Sequence, residues 1–175
     1  MKNTAFKKWL KEKNACESGF KWVGKRDLRK TWDELDNPAW LGWLARRCGV
    51  EKKPFVSIAC ECARLALPFV KKGDNRPLKA IETAEKWIRG EATDVECRTA
   101  ADYDYAAYAS SAYAAAYAAA YAAYDAYADA YAYAAYAAAH ATHAAAYDAA
   151  KRTEFMKKCC DIYRKHIRFE DLKPQ

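Results

Sequence analysis

Apolar residues recur at helical spacing through residues 1–100, and a glycine or a proline closes one run before the next begins. The first run takes Asn3 or Thr4 as its N-cap and places Phe6 and Trp9 on one side of a helix. The pattern predicts a series of short helices that bury their apolar sides against one another.

Capping residues and helix breakers mark where several of these helices begin and end. Asn37 precedes Pro38, which favours a helix start because the amide side chain caps free N–H groups and proline suits the first turn. A further helix is predicted to begin at Pro54 and to end before Pro68. Gly90 is expected to end the one after it.

A long helical tract follows, and a capping box marks its start. The Thr93 hydroxyl can accept the N–H three residues on while the Glu96 carboxylate reaches back, so a helix is predicted from about Asp94. No glycine or proline then occurs before Pro174, and residues 101–150 contain 28 alanines, the strongest helix former, with 12 tyrosines. Because no stretch favours a strand, the predicted fold class is all-α. We expect a multi-helix bundle of short N-terminal helices, with a long Ala/Tyr-rich helix or helical hairpin in the C-terminal half.

The length of the tract argues against a single straight rod. A helix over residues 94–150 would measure about 85 Å at 1.5 Å per residue, whereas a compact domain of this size is about 40 Å across. We therefore expect either a break that folds the tract into an antiparallel pair, near residues 130–135 or at Ser110 and Ser111, or a long helix whose ends pack against different surfaces.

Tyrosines follow two opposite faces of the predicted tract, at about 100° per residue. Facing inward, they would fill a bundle in which alanines let helix axes approach closely. Facing outward, they would form a recognition surface, because tyrosine gives a large contact area at low entropic cost. The candidate partner-binding residues are Tyr113, Tyr117, Tyr121, Tyr124, Tyr127 and Tyr131 on one face, and Asp125, Asp129, Tyr133, Tyr136, His140 and His143 on the other.

The last segment, residues 151–175, regains the pattern of an amphipathic helix. We expect it to pack back on the rest of the chain and to leave a basic outer face. Its apolar side consists of Phe155, Cys159, Ile162, Tyr163 and Ile167, and its basic side of Lys157, Lys158, Arg164, Lys165 and Arg168.

Composition favours one folded unit. A chain of 175 residues, 53% of them hydrophobic, can bury one sizeable core. We expect a single helical domain over residues 1–175, made of Trp-rich short helices (1–92), the Ala/Tyr-rich tract (93–150) and the C-terminal helix and tail (151–175). Residues 101–150 carry five acidic and no basic residues, whereas the whole chain has a net charge of +7. Such a charge can attract anionic partners, although the cations are also spaced like the solvated faces of helices.

Cysteine usage and the N-terminus indicate a cytoplasmic location. The seven cysteines are an odd number, and the charged N-terminus lacks the apolar run of a signal peptide. Asp125 and Asp129 argue against a membrane span in the Ala/Tyr tract. The pairs at positions 60 and 62 and at 159 and 160 lack zinc or redox spacing, so we expect these cysteines to act as small buried apolar residues.

Candidate chemistry is sparse. His140 and His143 lie one turn apart and could share a metal, but no carboxylate or cysteine has the spacing that would complete the ligand set. The sequence holds no Gly-rich phosphate loop, no nucleophile signature and no HExxH motif. We therefore predict a protein that is not an enzyme and that needs no cofactor or metal.

Three stretches carry a resemblance to a known family: NPAWLGWLARR at residues 37–47, CARLALP at 62–68 and RPLKAIETAEKWIRGEAT at 76–93. Over residues 15–150 the chain resembles the putative immunity protein family of bacteria and their phages. The resemblance implies an all-α protein that neutralises a toxin or a defence effector by binding it. It assigns no activity to any residue.

Three hypotheses about function remain open from the sequence. In the first, the chain is an inhibitor whose exposed Tyr/Ala face docks onto a protein effector or toxin. In the second, it is a phage-encoded anti-defence protein that captures nucleic acid or a nucleotide through its basic faces. In the third, the tyrosine stripe is the seam of a homo-oligomer.

Overall fold

A computed structural model describes residues 1–70, 72–101 and 149–174. Within these ranges the chain forms α-helices and short 3-10 turns without a β-strand, which agrees with the predicted fold class. The expected break near residues 130–135 or at Ser110 and Ser111 lies outside the described residues, as does the choice between a long helix and a hairpin. The helices are α1 (Asn3–Glu12), α2 (Glu17–Val23), α3 (Leu28–Glu34), α4 (Pro38–Arg47), α5 (Lys52–Ala66), α6 (Arg76–Arg89), α7 (Asp94–Ala101) and α8 (Ala149–His166), and the 3-10 turns are Leu67–Phe69 and Phe169–Asp171.

The predicted caps form where the local sequence supplies them. The Asn37 side chain accepts hydrogen bonds from two N–H groups in the first turn of α4, at 3.0 and 3.2 Å. At the start of α7, the Thr93 N–H donates to the Glu96 carboxylate at 2.7 Å and the Glu96 N–H donates to the Thr93 hydroxyl at 3.2 Å. Gly90 closes α6 in the left-handed conformation, with φ of 78°. These helix boundaries are therefore set by residues within a few positions of each end.

The predicted N-cap of α1 is wrong. Lys2 occupies that position, and its side chain makes no capping hydrogen bond. The side-chain amide of Asn3 donates instead to the carbonyl oxygens of Gly24 and Arg26, in the turn between α2 and α3. Asn3 therefore joins the first helix to a distant turn, a role that local helix signals do not reveal.

α5 lies at the centre of the described residues. It begins at Lys52, two residues before the predicted start at Pro54, and ends at Ala66, before Pro68 as predicted. The earlier start is possible because proline within the first turn of a helix removes no intrahelical hydrogen bond. α5 packs against α6 and α8, and α8 packs also against α4.

One hydrophobic core joins the N-terminal helices to the C-terminal helix. Phe6 of α1, Leu41 of α4, Ile58 of α5 and Tyr163 of α8 are fully buried within it. Burying one such side chain stabilises a fold by about 1.5–3 kcal/mol. The short helices therefore depend on packing with one another, as expected for elements of seven to ten residues.

The C-terminal segment packs back on the rest of the chain as predicted, with Cys159, Tyr163 and Ile167 buried. One residue of its expected basic outer face lies elsewhere. The Arg164 guanidinium, only 25% exposed, donates to the carbonyl oxygens of Trp32, at 3.0 Å, and of Leu35. Carbonyl groups at the end of a helix lack intrahelical donors, so Arg164 completes the C-terminus of α3.

Candidate functional site

The twelve candidate partner-binding residues lie outside the described ranges. They fall between Tyr113 and His143, within residues 102–148. Their role in binding stays a prediction from the sequence. A second candidate surface lies on α1, α2 and α4, and of its residues only those in the stretch at 37–47 stand out in the sequence.

Cationic side chains cover half-buried aromatic rings on the N-terminal helices. Lys7 and Lys11 of α1 place their Nζ atoms 5.4 and 5.5 Å from the centroid of the Phe20 ring in α2. The guanidinium carbon of Arg26 lies 4.2 Å from the centroid of the Trp22 ring. Such contacts contribute about 0.5–1 kcal/mol each at exposed sites. The rings therefore hold these cations at defined places on the surface.

α4 presents a related arrangement. Trp40, Trp43 and Arg47 are spaced three and four residues apart and so share one side of the helix. Both tryptophans are half-buried. The Arg47 guanidinium carbon lies 5.8 Å from the centroid of the Trp43 ring. Trp9 of α1 meets Trp43 edge to face, with ring centroids 6.3 Å apart. This side of α4 therefore presents two packed tryptophan rings with the Arg47 cation beside them.

Positive charge is concentrated in residues 1–30, which hold ten Lys or Arg against three Asp or Glu. Glu12 lies 3.9 Å from the Lys8 ammonium and Glu17 lies 2.5 Å from the Lys21 ammonium. The third carboxylate caps the first turn of α3. Three further cations, Arg26, Arg29 and Lys30, pair with Asp33 or Glu34 of α3. The remaining cations, which include Lys7 and Lys11, give this surface a positive potential that favours anionic partners.

An open cleft of about 600 Å³ lies between α5, α6 and α8. The Arg64 guanidinium donates two hydrogen bonds to Glu85, both 2.8 Å long. The Lys165 ammonium donates to Glu61 at 2.8 Å, and the His166 Nε2 lies 2.7 Å from the same carboxylate. The lining residues Glu61, Arg64 and Glu85 are thus paired, and the other charged lining residues, Lys158 and Asp161, have opposite signs. The cleft therefore does not present a concentrated charge of one sign.

Glu61 acts as a link between α5 and α8. Burial is the largest single influence and tends to raise the pKa of this carboxyl, but the hydrogen bonds and the positive charges of Lys165 and His166 together hold the pKa below its ordinary value of 4.5. A general base for work near neutral pH needs a pKa close to 7. The lowered pKa therefore fits an ionised structural partner better than a proton acceptor.

Both cysteine pairs are buried, as predicted. Cys60, Cys62, Cys159 and Cys160 each expose 2% of their surface or less, and all seven cysteines of the chain are thiols. A hydrogen bond with Cys159 and burial together raise the pKa of Cys62 well above its ordinary value, and burial raises that of Cys160 to about 12. Because the thiolate is the reactive form, these cysteines behave as apolar core residues near neutral pH.

The described part of the chain shows neither a metal site nor a membrane-spanning helix. There, no three His, Cys, Asp or Glu side chains come together as a possible metal site. The pair His140 and His143 lies outside it. None of the helices of residues 1–70, 72–101 and 149–174 combines the length and the apolar character needed to cross a membrane.

The fold and surface together define a small all-α protein with a basic, aromatic-lined surface. The family model described as "Imm-5 like putative immunity protein" matches residues 50–168, which is more than half of the chain. The chain therefore belongs to this family, and the resemblance found in the sequence is confirmed. No curated protein and no solved structure matches the chain.

The family match and the earlier resemblance overlap without coinciding. The match begins at residue 50, just before α5, and ends at residue 168, beyond α8. It includes the stretches at 62–68 and 76–93, but the tryptophan-rich stretch at 37–47 precedes it. Lys7, Lys11 and Phe20 also precede it, so the basic surface of α1 and α2 is a feature of this chain that the match does not cover.

Part of this basic surface was visible in the sequence. The four-residue spacing of Lys7 and Lys11 places them on one side of a helix. Their meeting over the Phe20 ring depends on how α2 packs against α1, which no local pattern specifies.

Proposed function

We propose that the chain is a non-catalytic immunity protein that neutralises a toxin or a defence effector by direct protein–protein contact. The observation that carries this proposal is membership of the Imm-5 like family. Membership suggests an immunity role, and the chemistry of the described residues supports binding as its basis.

Support for a non-catalytic role comes from the groups that could perform chemistry. The Glu61 carboxylate has a lowered pKa and is held by Lys165 and His166. The Cys62 and Cys160 thiols are buried and their pKa values are raised. Acid–base and nucleophilic catalysis need a group whose pKa lies near the working pH and that can reach a substrate. These groups fit structural roles better.

Support for protein binding comes from the residue types on the surface. Tryptophan, tyrosine and arginine dominate the binding energy of protein interfaces. α4 offers Trp40, Trp43 and Arg47 on one side, with both tryptophan rings partly accessible. The predicted tyrosine faces between Tyr113 and His143 would add contact area of the same kind. The proposed partner is therefore a folded protein surface.

Affinity capture tests the proposal. A tagged full-length chain is expressed in its native host, captured with and without nuclease treatment, and the retained proteins are identified and quantified by mass spectrometry. One protein retained in nearly equal amount after nuclease treatment supports the proposal and supplies the effector. Material that disappears with nuclease would favour nucleic-acid capture instead, because the net charge of +7 attracts nucleic acids.

Self-association is tested by the same preparation. Light scattering of the captured chain over a range of concentrations reports its mass in solution. If the tagged chain is recovered alone and its mass rises with concentration, a homo-oligomeric role would replace the immunity proposal. A constant mass together with one equimolar partner agrees with the immunity proposal.

A further inference from the structure

Two lysines converge on a single aromatic ring at the junction of α1 and α2. The Nζ atoms of Lys7 and Lys11 lie 5.4 and 5.5 Å from the centroid of the Phe20 ring. Phe20 is half-buried, Lys7 is half-buried and Lys11 is exposed. The ring attracts both cations, but the two like charges repel each other. An anion bound by the ammonium groups would relieve that repulsion.

No carboxylate of the described residues provides that anion. None lies within 4.0 Å of the Nζ atom of Lys7 or Lys11, whereas the neighbouring Glu12 and Glu17 have partners of their own. Of the other eight cations of residues 1–30, five lie within 4.0 Å of a carboxylate, and Lys2, Lys13 and Lys25 add to the local positive potential. The patch is therefore set up to receive an anion from outside this part of the molecule.

We infer that Lys7, Lys11 and Phe20 form a docking site for an acidic segment of a protein partner. The ammonium groups would bind Asp or Glu carboxylates, and the accessible part of the Phe20 ring would cover the methylene groups of those side chains. This inference rests on the proposed function for the kind of partner, a protein. It adds the chemistry of the partner's contact segment and the residues that meet it.

A protein segment suits this patch better than a single-stranded nucleic acid. Proteins that bind single strands stack bases on open aromatic faces, whereas the Phe20 ring is half-buried and two ammonium groups lie over it. The lysine ammonium is a compact point charge that pairs with carboxylate and phosphate alike, so the covered Phe20 ring is what favours a protein segment. The partner's segment should therefore be rich in Asp or Glu.

A peptide probe tests the site without knowledge of the partner. A fluorescently labelled poly-glutamate peptide of about twenty residues is titrated with the full-length chain at low ionic strength, and binding is followed by anisotropy. The key variant is Lys7→Glu/Lys11→Glu. The matched control is Lys72→Glu/Lys79→Glu, which changes the net charge equally at two exposed lysines near or in α6. A neutral variant, Lys7→Gln/Lys11→Gln, and the far-ultraviolet circular dichroism of all variants guard against misfolding.

Site-specific docking predicts that Lys7→Glu/Lys11→Glu weakens peptide binding about tenfold or more, while the matched control weakens it less than about twofold. The neutral variant should fall between them. Equal weakening by both charge reversals would overturn the inference, because the peptide would then sense only net charge. Absence of peptide binding would overturn the inference too. So would a chain that binds oligothymidylate instead of the peptide, with the same dependence on Lys7 and Lys11.

The two proposals can fail separately. If the chain shows no specific peptide binding but still captures an equimolar protein from the host, the docking site is refuted and the immunity proposal stands. A specific peptide site in a chain that captures no protein would refute the immunity proposal and leave an acidic-segment binding site to be explained.

Discussion

Gly42 of α4 lies against the hydroxyl group of Tyr163 of α8. A Cβ atom at position 42 would stand 2.8 Å from the tyrosine oxygen and 3.4 Å from two ring carbons. Cβ contacts shorter than 3.0 Å are essentially never seen. Because Tyr163 is fully buried, the ring has little room to move away. The absence of a side chain at Gly42 therefore sets how closely α4 and α8 approach.

Gly42→Ala should lower the free energy of unfolding by about 1–3 kcal/mol, the usual effect of overpacking a core. Alanine improves helix propensity by at most about 1 kcal/mol, which reduces the loss without cancelling it. Urea denaturation followed by circular dichroism measures the difference. The control is the same substitution in a Tyr163→Phe background, where the hydroxyl is gone and the loss should be smaller. Equal losses in both backgrounds would contradict the contact.

Arg164 should be needed for stability rather than for surface charge. Its guanidinium donates to the carbonyl oxygens of Trp32 and Leu35 at the end of α3. Arg164→Met keeps much of the side chain's length and removes the donors, so the free energy of unfolding should fall by about 1–3 kcal/mol. Lys157→Met, an exposed position on the same helix, should change it by less than about 0.5 kcal/mol. Similar effects from the two variants would refute this role for Arg164.

Acid should weaken the link between α5 and α8. The pKa of Glu61 is lowered from its ordinary value of 4.5, so its stabilising contribution is fully present above pH 4.5 and is lost as the pH falls through the lowered value. Glu61→Gln should therefore destabilise the chain at neutral pH, and the difference from the natural sequence should shrink below about pH 4.5. Denaturant unfolding at a series of pH values measures this. A difference that stayed constant into acid would show that Glu61 does not act through its charge.

Thiol reactivity should separate one cysteine from the other six. Cys16 is exposed and the rest are buried. Burial raises the pKa of Cys48 to about 12 and that of Cys97 to about 11. Brief alkylation of the native chain near neutral pH should therefore label Cys16 alone, whereas all seven cysteines should react in denaturant. Peptide mapping by mass spectrometry identifies the sites, and rapid native labelling of Cys62 would contradict the packing described.

Local determinants of the fold are predictable from the sequence, whereas long-range ones are not. Asn37 and Thr93 cap helices as predicted, because capping depends on residues within one turn. Asn3 and Arg164 were placed wrongly, because each hydrogen-bonds to carbonyl groups far away in the sequence. Local propensity carries no information about such partners. The same holds for the candidate site, since Phe20 meets the α1 lysines only after α2 packs.

The predicted tyrosine faces lie outside the described residues and are tested by substitution. Replacing Tyr117, Tyr121 and Tyr124 with alanine removes three candidate anchors and adds strong helix formers. Binding of the captured effector should weaken by about a hundredfold or more if these residues act as interface hot spots. Titration calorimetry measures the affinity, and circular dichroism should show unchanged helical content. Full retention of affinity would remove this face from the interface.

Neutralisation by direct contact without catalysis can be measured by titrating the purified effector with the purified chain and following the effector's remaining activity. Direct contact should give a straight decline that reaches zero at about one equivalent, does not deepen with time, and reverses when the complex is dissociated. Inactivation by far less than one equivalent, growing with incubation time, would show turnover and contradict the claim.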